Sequence, residues 1–193
     1  MKAYCIYGIL PKELEDLAYK HRINDNDILI WEMQEQPHIT IMYGPLIDDN
    51  AEELNQHSSY NELNQLLGGF ISKYNNQLPN IKLTGVGYFN RDKMNIVKLE
   101  FESQALTDMQ VYLRKNTYNN YEEMDKNNLY DQSYNMPPIK WCHVTLGYLK
   151  KDVDVDNVVQ KLSKDLIGYI GNEFKIKEIN LITAKTDHPI KLW

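Results

Sequence analysis

Two short segments share one alternation of polar and apolar residues, and this alternation limits how the chain can fold. QPHITIMYG spans residues 36–44 and WCHVTLGYL spans residues 141–149. In a strand, residues two positions apart project from the same face, so each segment places a histidine and a threonine together and sets branched apolar residues opposite them. Each segment is therefore predicted to be a sheet strand with one covered face, over residues 37–46 and 139–149.

The remaining patterns predict strands and helices in a repeated order. Amphipathic spacing and first-turn signals favour four helices, with Gly68 and Gly69 as a possible break in the second. Alternation favours an initial strand, a hairpin between the two motif segments and a late strand, with a further extended segment near residue 30. The predicted helices cover residues 11–21, 51–74, 105–116 and 154–170, and the further strands cover 3–10, 81–90, 94–103 and 173–185.

This order predicts an α+β fold. A strand–helix–strand pattern occurs twice, each time with one His-x-Thr segment, so we expect two pseudo-symmetric lobes of antiparallel sheet with outer helices around a central cleft. The 193 residues suit a single bilobal domain, residues 1–193. Residues 117–138 are rich in Asn, Asp and Tyr without an apolar period, and they are predicted to be a long loop. We interpret it as a flexible insertion, with a lid that selects the nucleotide as the alternative.

Charge and cysteine content exclude several function classes. The net charge of −6 disfavours broad adhesion to long or duplex nucleic acid, but it permits a small phosphate-bearing ligand in a local pocket. Cys5 and Cys142 lack the spacing of a zinc or redox site, so we expect two buried, reduced thiols. The sequence contains no apolar run long enough to cross a bilayer. We therefore expect a cytoplasmic protein without a membrane partner.

The two motifs together suggest acid–base chemistry on a phosphodiester. If the two lobes face each other, a phosphorus atom between them would meet His38 and Thr40 on one side and His143 and Thr145 on the other. One neutral histidine can remove a proton from the attacking oxygen while the other, protonated, donates to the leaving oxygen. The threonine hydroxyls can hold the non-bridging oxygens. This arrangement requires no metal or other cofactor, although a single His-x-Thr in a strand is more often an ordinary surface or core feature.

The paired motifs PHITIMY and CHVTLGY resemble those of the 2H phosphoesterase superfamily, which includes LigT-like RNA 2′,3′-cyclic phosphodiesterases and 2′,5′-oligoadenylate phosphodiesterases. The likeness extends over nearly the whole chain, through AYCIYGILP, the GVGYF hairpin and EINLITAK. It implies that His38 and His143 are the acid–base pair and that Thr40 and Thr145 bind the phosphate. Which histidine acts as the base stays open.

Weaker site candidates follow from alternation and from loose similarity to the family. Tyr7, Phe89 and Lys98 could line the cleft, for base stacking and charge neutralisation, but packed aromatic rings and a solvated lysine are equally compatible with the sequence. Lys185 is a more distant candidate of the same kind. The three histidines outside the motifs are expected to be exposed, namely His21, His57 and His188.

The resulting prediction is a metal-independent phosphodiesterase acting on a small nucleotide substrate as a monomer. The substrate alternatives are a 2′,3′-cyclic phosphate, a 2′-5′ oligonucleotide and a cyclic oligonucleotide signal of the kind degraded in viral immune evasion. The acidic, Arg-poor composition favours short ligands over long RNA. A nucleotide-binding module that retains the cleft without turnover is the alternative from another class. An unrelated scaffold with coincidental motifs would hold the two imidazoles far apart.

Overall fold

The computed structural model describes residues 4–44, 58–117, 142–183 and 190–192. The helices are α1 Lys12–His21, α2 Ser58–Ser72, α3 Gln104–Thr117 and α4 Val155–Asp165, followed by a 3-10 turn at Ile167–Tyr169. The strands are β1 Tyr4–Ile9, β2 Leu29–Trp31, β3 His38–Gly44, β4 Asn80–Asn90, β5 Met94–Glu102, β6 His143–Lys150, β7 Glu173–Lys175, β8 Glu178–Thr183 and β9 Ile190–Lys191.

These strands form two antiparallel sheets, which confirms the predicted α+β class. The first sheet has the order β3-β1-β8-β9, and the second has the order β2-β6-β5-β4-β7. Each sheet joins strands of the N-terminal half of the chain, which runs through β4, with strands of the C-terminal half, which starts at β5. In the first sheet β8 pairs with β1, and in the second sheet β4 pairs with β5. The predicted hairpin of β4 and β5 is also confirmed.

The helices cover the apolar faces of the sheets and connect the two halves. α1 follows β1 of the first sheet yet contacts β6 of the second, and α3 follows β5 of the second sheet yet contacts β3 of the first. Asp154 caps the N-terminus of α4, and its carboxylate accepts a hydrogen bond from the backbone N–H of Asn157 at 3.2 Å. One main apolar core runs through both sheets and all four helices.

The late segment predicted as one strand over residues 173–185 is two strands in different sheets. β7 pairs with β4, whereas β8 pairs with β1. The chain changes sheet at Ile176, which is buried against Gly8 so closely that a Cβ on that glycine would lie 3.1 Å from the Ile176 Cγ2 atom. The apolar alternation also shifts phase here, since two polar residues, Lys177 and Glu178, follow one another.

Two further predictions differ in detail. α2 continues through Gly68 and Gly69 to Ser72, because Leu67, Phe70 and Ile71 bury an apolar face that outweighs the low helix propensity of glycine. The extended segment near residue 30 is a strand of three residues, β2. Several predicted features lie outside the described residues: the segments 45–57 and 118–141, and the side chains His57, Lys185 and His188.

Candidate active site

The two motif segments form strands β3 and β6, which contact each other where the two sheets meet. Ile39 and Ile41 are completely buried in the main core, as are Val144 and Leu146 in the other motif. His38, His143 and Thr145 keep partial exposure on the opposite face, where Thr40 is 8% exposed. We call this opposite face the motif face of each sheet. The alternation predicted for both segments is therefore confirmed.

A matching irregularity follows the threonine in each motif. In the first sheet Thr40 pairs with Tyr7, but the next pair joins Met42 to Ile6, so Ile41 is an extra residue in β3. In the second sheet Thr145 pairs with Lys98, and the next pair joins Gly147 to Val97, so Leu146 is the extra residue in β6. Both are β-bulges, which re-aim the side chains that follow them. The duplication therefore extends to the backbone geometry directly after each threonine.

The bulge after Thr145 moves Tyr148 onto the motif face of the second sheet. Without the extra residue, Tyr148 would project with Val144 and Leu146 into the core. With it, Tyr148 pairs with Ile96, two residues before Lys98 on β5. The pKa of the Tyr148 phenol is raised by burial and by the neighbouring Glu35 carboxylate, and the side chain of Thr145 lowers it in smaller measure. Tyr148 and Thr145 therefore interact on one face.

His38 is held by its backbone neighbour and by an aromatic ring. Its Nδ1–H donates to the carbonyl oxygen of Gln36 at 2.9 Å, which leaves Nε2 as the nitrogen that can exchange a proton with a ligand. Tyr7 packs edge-on against the imidazole, with ring centroids 5.0 Å apart. Burial raises the pKa of the Tyr7 phenol, and the side chain of Asn180 lowers it.

His143 has an equivalent aromatic neighbour in the second sheet. The Phe89 ring meets the imidazole edge-on, with centroids 4.9 Å apart and an angle of 84° between the planes. The Lys98 ammonium lies over the same phenyl ring, 4.4 Å from its centroid. Phe89 thus links the second motif histidine to a cation on the neighbouring strand.

Lys98 is buried, with a side chain only 7% exposed, so the solvated lysine considered from the sequence is wrong. Its ammonium forms an ion pair with the carboxylate of Glu100, which is the register partner of His143. Gly87 leaves space for this carboxylate, since a Cβ at position 87 would require the Glu100 side chain to shift. Lys98 and Glu100 therefore form an ion pair next to the second motif.

Known structures with the same fold were found, although no family model and no curated protein matches the sequence. TT0787 of Thermus thermophilus aligns with a TM-score of 0.57 at 16% identity, covering 99% of this chain and 93% of that chain. E. coli LigT complexed with 3′-AMP gives a TM-score of 0.54 at 12% identity, covering 98% and 95%. Kluyveromyces marxianus Usb1 with uridine monophosphate gives 0.54 at 9% identity, covering 99% and 97%. The chain has the 2H phosphoesterase fold. The resemblance deduced from the paired motifs is confirmed at the level of the fold.

Three residues that line the motif faces of this 2H fold were not predicted from the sequence. Glu100 and Tyr148 were missed, although the period-2 pattern of β5 and the shared Tyr of IMY and LGY were available signals. Asn180 was missed because its position depends on β8 returning to the first sheet, where it pairs with Tyr7. Asn180 is 6% exposed, and its Oδ1 has no hydrogen-bond partner among the described residues.

His21 contradicts the prediction of an exposed histidine. It is the last residue of α1 and is partly buried, and its Nε2 is buried without a hydrogen-bond partner in the part of the chain that the structure describes. Burial lowers the pKa of the imidazole, the Lys20 charge lowers it further, and Asp165 partly opposes this. His21 lies at the end of α1, outside the motif faces.

Neither a metal-binding cluster nor a membrane-spanning helix is found among the described residues. Across residues 4–44, 58–117, 142–183 and 190–192, no cluster of His, Cys, Asp and Glu could hold a metal ion. None of the helices in those ranges has the length and apolarity to cross a membrane. A cleft of about 700 Å³ is lined by residues from the ends of α2 and β5 and the starts of β4 and α3, and it extends to Cys142, next to His143. Cys5 and Cys142 are both buried, as predicted.

Proposed function

We propose that this chain is a metal-independent phosphodiesterase that acts on a small nucleotide substrate through His38 and His143. The observation that carries the proposal is the equivalent placement of the two motifs. Each histidine precedes its threonine by two residues, each threonine is followed by a bulge, and the two strands contact each other. A tetrahedral phosphate between them would meet one imidazole and one hydroxyl from either side.

The chemistry follows from the groups on the motif faces. One imidazole accepts the proton of the attacking water or ribose hydroxyl, and the other, protonated, donates to the oxygen that leaves phosphorus. His38 is prepared for either role, because the bond from Nδ1 to Gln36 fixes its tautomer and leaves Nε2 for the transfer. Thr40 and Thr145 donate hydrogen bonds to the non-bridging oxygens, and the Lys98 ammonium offsets part of their charge.

Tyr7 and Phe89 have a different role in this proposal from the base stacking considered from the sequence. Each ring packs edge-on against one motif imidazole. Rings in such contacts fix the orientation of the imidazole that they touch, and the positive edge of one ring favours the negative face of the other. Tyr7 and Phe89 are therefore proposed as positioning residues for His38 and His143.

The substrate class is supported by proteins that share the fold. The LigT structure contains 3′-AMP and the Usb1 structure contains uridine monophosphate, both of them nucleoside monophosphates. We propose a nucleotide with a 2′,3′-cyclic phosphate, a 2′-5′ linkage or a cyclic oligonucleotide backbone, the last two being candidates for immune-signal degradation. We also propose that the protein is a cytoplasmic monomer of one domain that binds neither membranes nor long duplexes.

A product-resolved substrate panel tests the proposal. The purified protein is incubated in EDTA with 2′,3′-cyclic nucleotides, 2′-5′ oligoadenylates and cyclic di- and trinucleotides, and the products are separated by chromatography. His38→Ala and His143→Ala are expected to lower the rate by roughly 10²- to 10⁴-fold, the usual contribution of a general acid or base.

Threonine variants test the proposed phosphate ligands, with Thr107→Val as the matched control. Thr40→Val and Thr145→Val remove a proposed phosphate ligand, whereas Thr107→Val removes a hydroxyl of α3 that donates to the carbonyl oxygen of Ser103, just before that helix. Loss of activity is expected in the first two only. Activity that survives both histidine substitutions would exclude the mechanism, and tight nucleotide binding without product would favour the non-catalytic module.

A further inference from the structure

Two stacked aromatic rings lie on the motif face of the second sheet, next to Thr145. Trp31 of β2 is the register partner of Tyr148 of β6. Their ring centroids are 4.5 Å apart with 28° between the planes. Trp31 is 44% exposed even though Tyr148 covers one face of its indole. We call Trp31 and Tyr148 the aromatic platform, because together they present a flat, solvent-facing indole.

The platform is connected directly to the second motif. Tyr148 reaches the motif face because of the bulge at Leu146, and there it interacts with the side chain of Thr145. A phosphate held by Thr145 would therefore place the rest of its nucleotide within reach of Tyr148 and, one ring further, of Trp31.

The surroundings of the platform are better suited to a nucleobase than to a second phosphate group. The Glu35 carboxylate acts electrostatically on Tyr148, and a carboxylate repels phosphate but accepts hydrogen bonds from the N–H groups of a base. Arg22 fixes this segment by donating to the carbonyl oxygens of Met33 at 2.9 Å and Glu35 at 2.7 Å. The platform and its acidic neighbour are thus preorganised, which limits the entropy lost on binding.

We propose that the aromatic platform stacks the base of the nucleotide whose phosphate Thr145 holds. This inference rests on the proposed function and makes its substrate class narrower. The substrate would carry an unpaired, N–H-bearing base next to the scissile phosphate on the β2 side of the site. Base–aromatic stacking tolerates different bases, so the platform selects for an unpaired base more than for its identity.

Binding measurements test the platform without depending on turnover. Calorimetry or NMR titration compares 2′-, 3′- and 5′-adenosine monophosphate with ribose 5-phosphate and inorganic phosphate as probes. Trp31→Leu is expected to weaken binding of the preferred adenosine monophosphate by roughly ten- to a hundredfold, the effect of losing one base–aromatic stack, and to leave inorganic phosphate unaffected. Thr145→Val is expected to weaken binding of both.

The control is Tyr74→Leu, which alters another partly exposed aromatic residue, 37% exposed, near the end of α2. It should change none of the affinities. The inference is overturned if Trp31→Leu binds adenosine monophosphate as well as the wild type does, while Thr145→Val still loses phosphate. It is also overturned if Trp31→Leu alters only self-association, measured by sedimentation. A wild type that binds neither nucleotide nor phosphate would instead contradict the proposed function itself.

Discussion

The charge pair of Lys98 and Glu100 defines the electrostatics of the candidate site at the scale of single residues. A buried ammonium needs a partner, and Glu100 supplies one through the space left by Gly87. In the proposed mechanism, the Glu100 carboxylate competes with the substrate phosphate for this ammonium. Alternation in β5 was enough to place Lys98 and Glu100 on one face, but the contact of Lys98 with Phe89 depends on the pairing of β4 with β5, which no local pattern predicts.

Glu100→Gln is therefore expected to strengthen substrate binding. The amide keeps the shape and an acceptor oxygen but removes the negative charge next to the phosphate. We expect KM to fall by about fivefold, the equivalent of ~1 kcal/mol for one charge at a partly screened distance. Steady-state kinetics at low salt measures this effect.

Glu102→Gln is the matched control, since Glu102 is two residues further along β5 and pairs at 3.2 Å with the exposed Lys82. Its KM should equal that of the wild type. Equal KM values for Glu100→Gln and the wild type, or equal decreases in both variants, would show that Glu100 does not compete with the substrate for Lys98.

At the scale of elements, periodicity predicted nearly every strand and helix but not the places where the period shifts. The bulges at Ile41 and Leu146 and the change of sheet at Ile176 each displace the alternation by one residue. Traces of these shifts are present in the sequence, as the adjacent apolar residues Ile41 and Met42 and the adjacent polar residues Lys177 and Glu178. Such pairs are ambiguous alone, because strand ends and loops contain them too.

The end of α1 makes stability depend on pH. Burial lowers the pKa of His21 below its ordinary value of about 6.5. The unfolded chain therefore binds a proton at this residue more readily than the folded chain does, and the free energy of unfolding must decrease as the pH falls through about 6.5. Above that value both states are neutral at His21 and the effect is absent.

His21→Gln should flatten this dependence, because glutamine does not titrate. Urea unfolding at pH 7.5 and at pH 5.5 compares the two proteins. The wild type is expected to lose more stability between these values than the variant does. An identical loss in both would show that other groups carry the pH dependence.

At the scale of the whole molecule, the two halves of the chain are interlocked. β4 belongs to the sheet of the second motif and β8 to the sheet of the first, while α1 and α3 each contact the sheet of the other half. The sequence predicted the duplicated order, since each strand–helix–strand pattern is local. It did not predict which strands join which sheet, because that choice depends on pairing between distant residues.

An interlocked core predicts that Cys142, which belongs to it, reacts only when the whole molecule unfolds. Burial raises the pKa of Cys142 to about 12, so almost no thiolate is present at pH 8. Cys5 lies outside this core, in a small separate cluster with Tyr7 and Ile9 on an inner strand of the first sheet. Alkylation monitored by mass spectrometry should modify Cys142 at the urea midpoint of unfolding and not in the native state. Rapid native labelling of Cys142 would contradict this and indicate local opening at the start of β6.

The central claim is that His38 and His143 act in one reaction, and a double-mutant cycle tests it most directly. The rate constant kcat is measured in EDTA, on the substrate that the panel identifies, for His38→Gln, His143→Gln and the double variant. Each single substitution is expected to lower kcat by roughly 10²- to 10⁴-fold, and the double variant should be little slower than either single one, because residues that act as a unit are not additive. A single variant with the wild-type rate, or losses that multiply in the double variant, would contradict the claim.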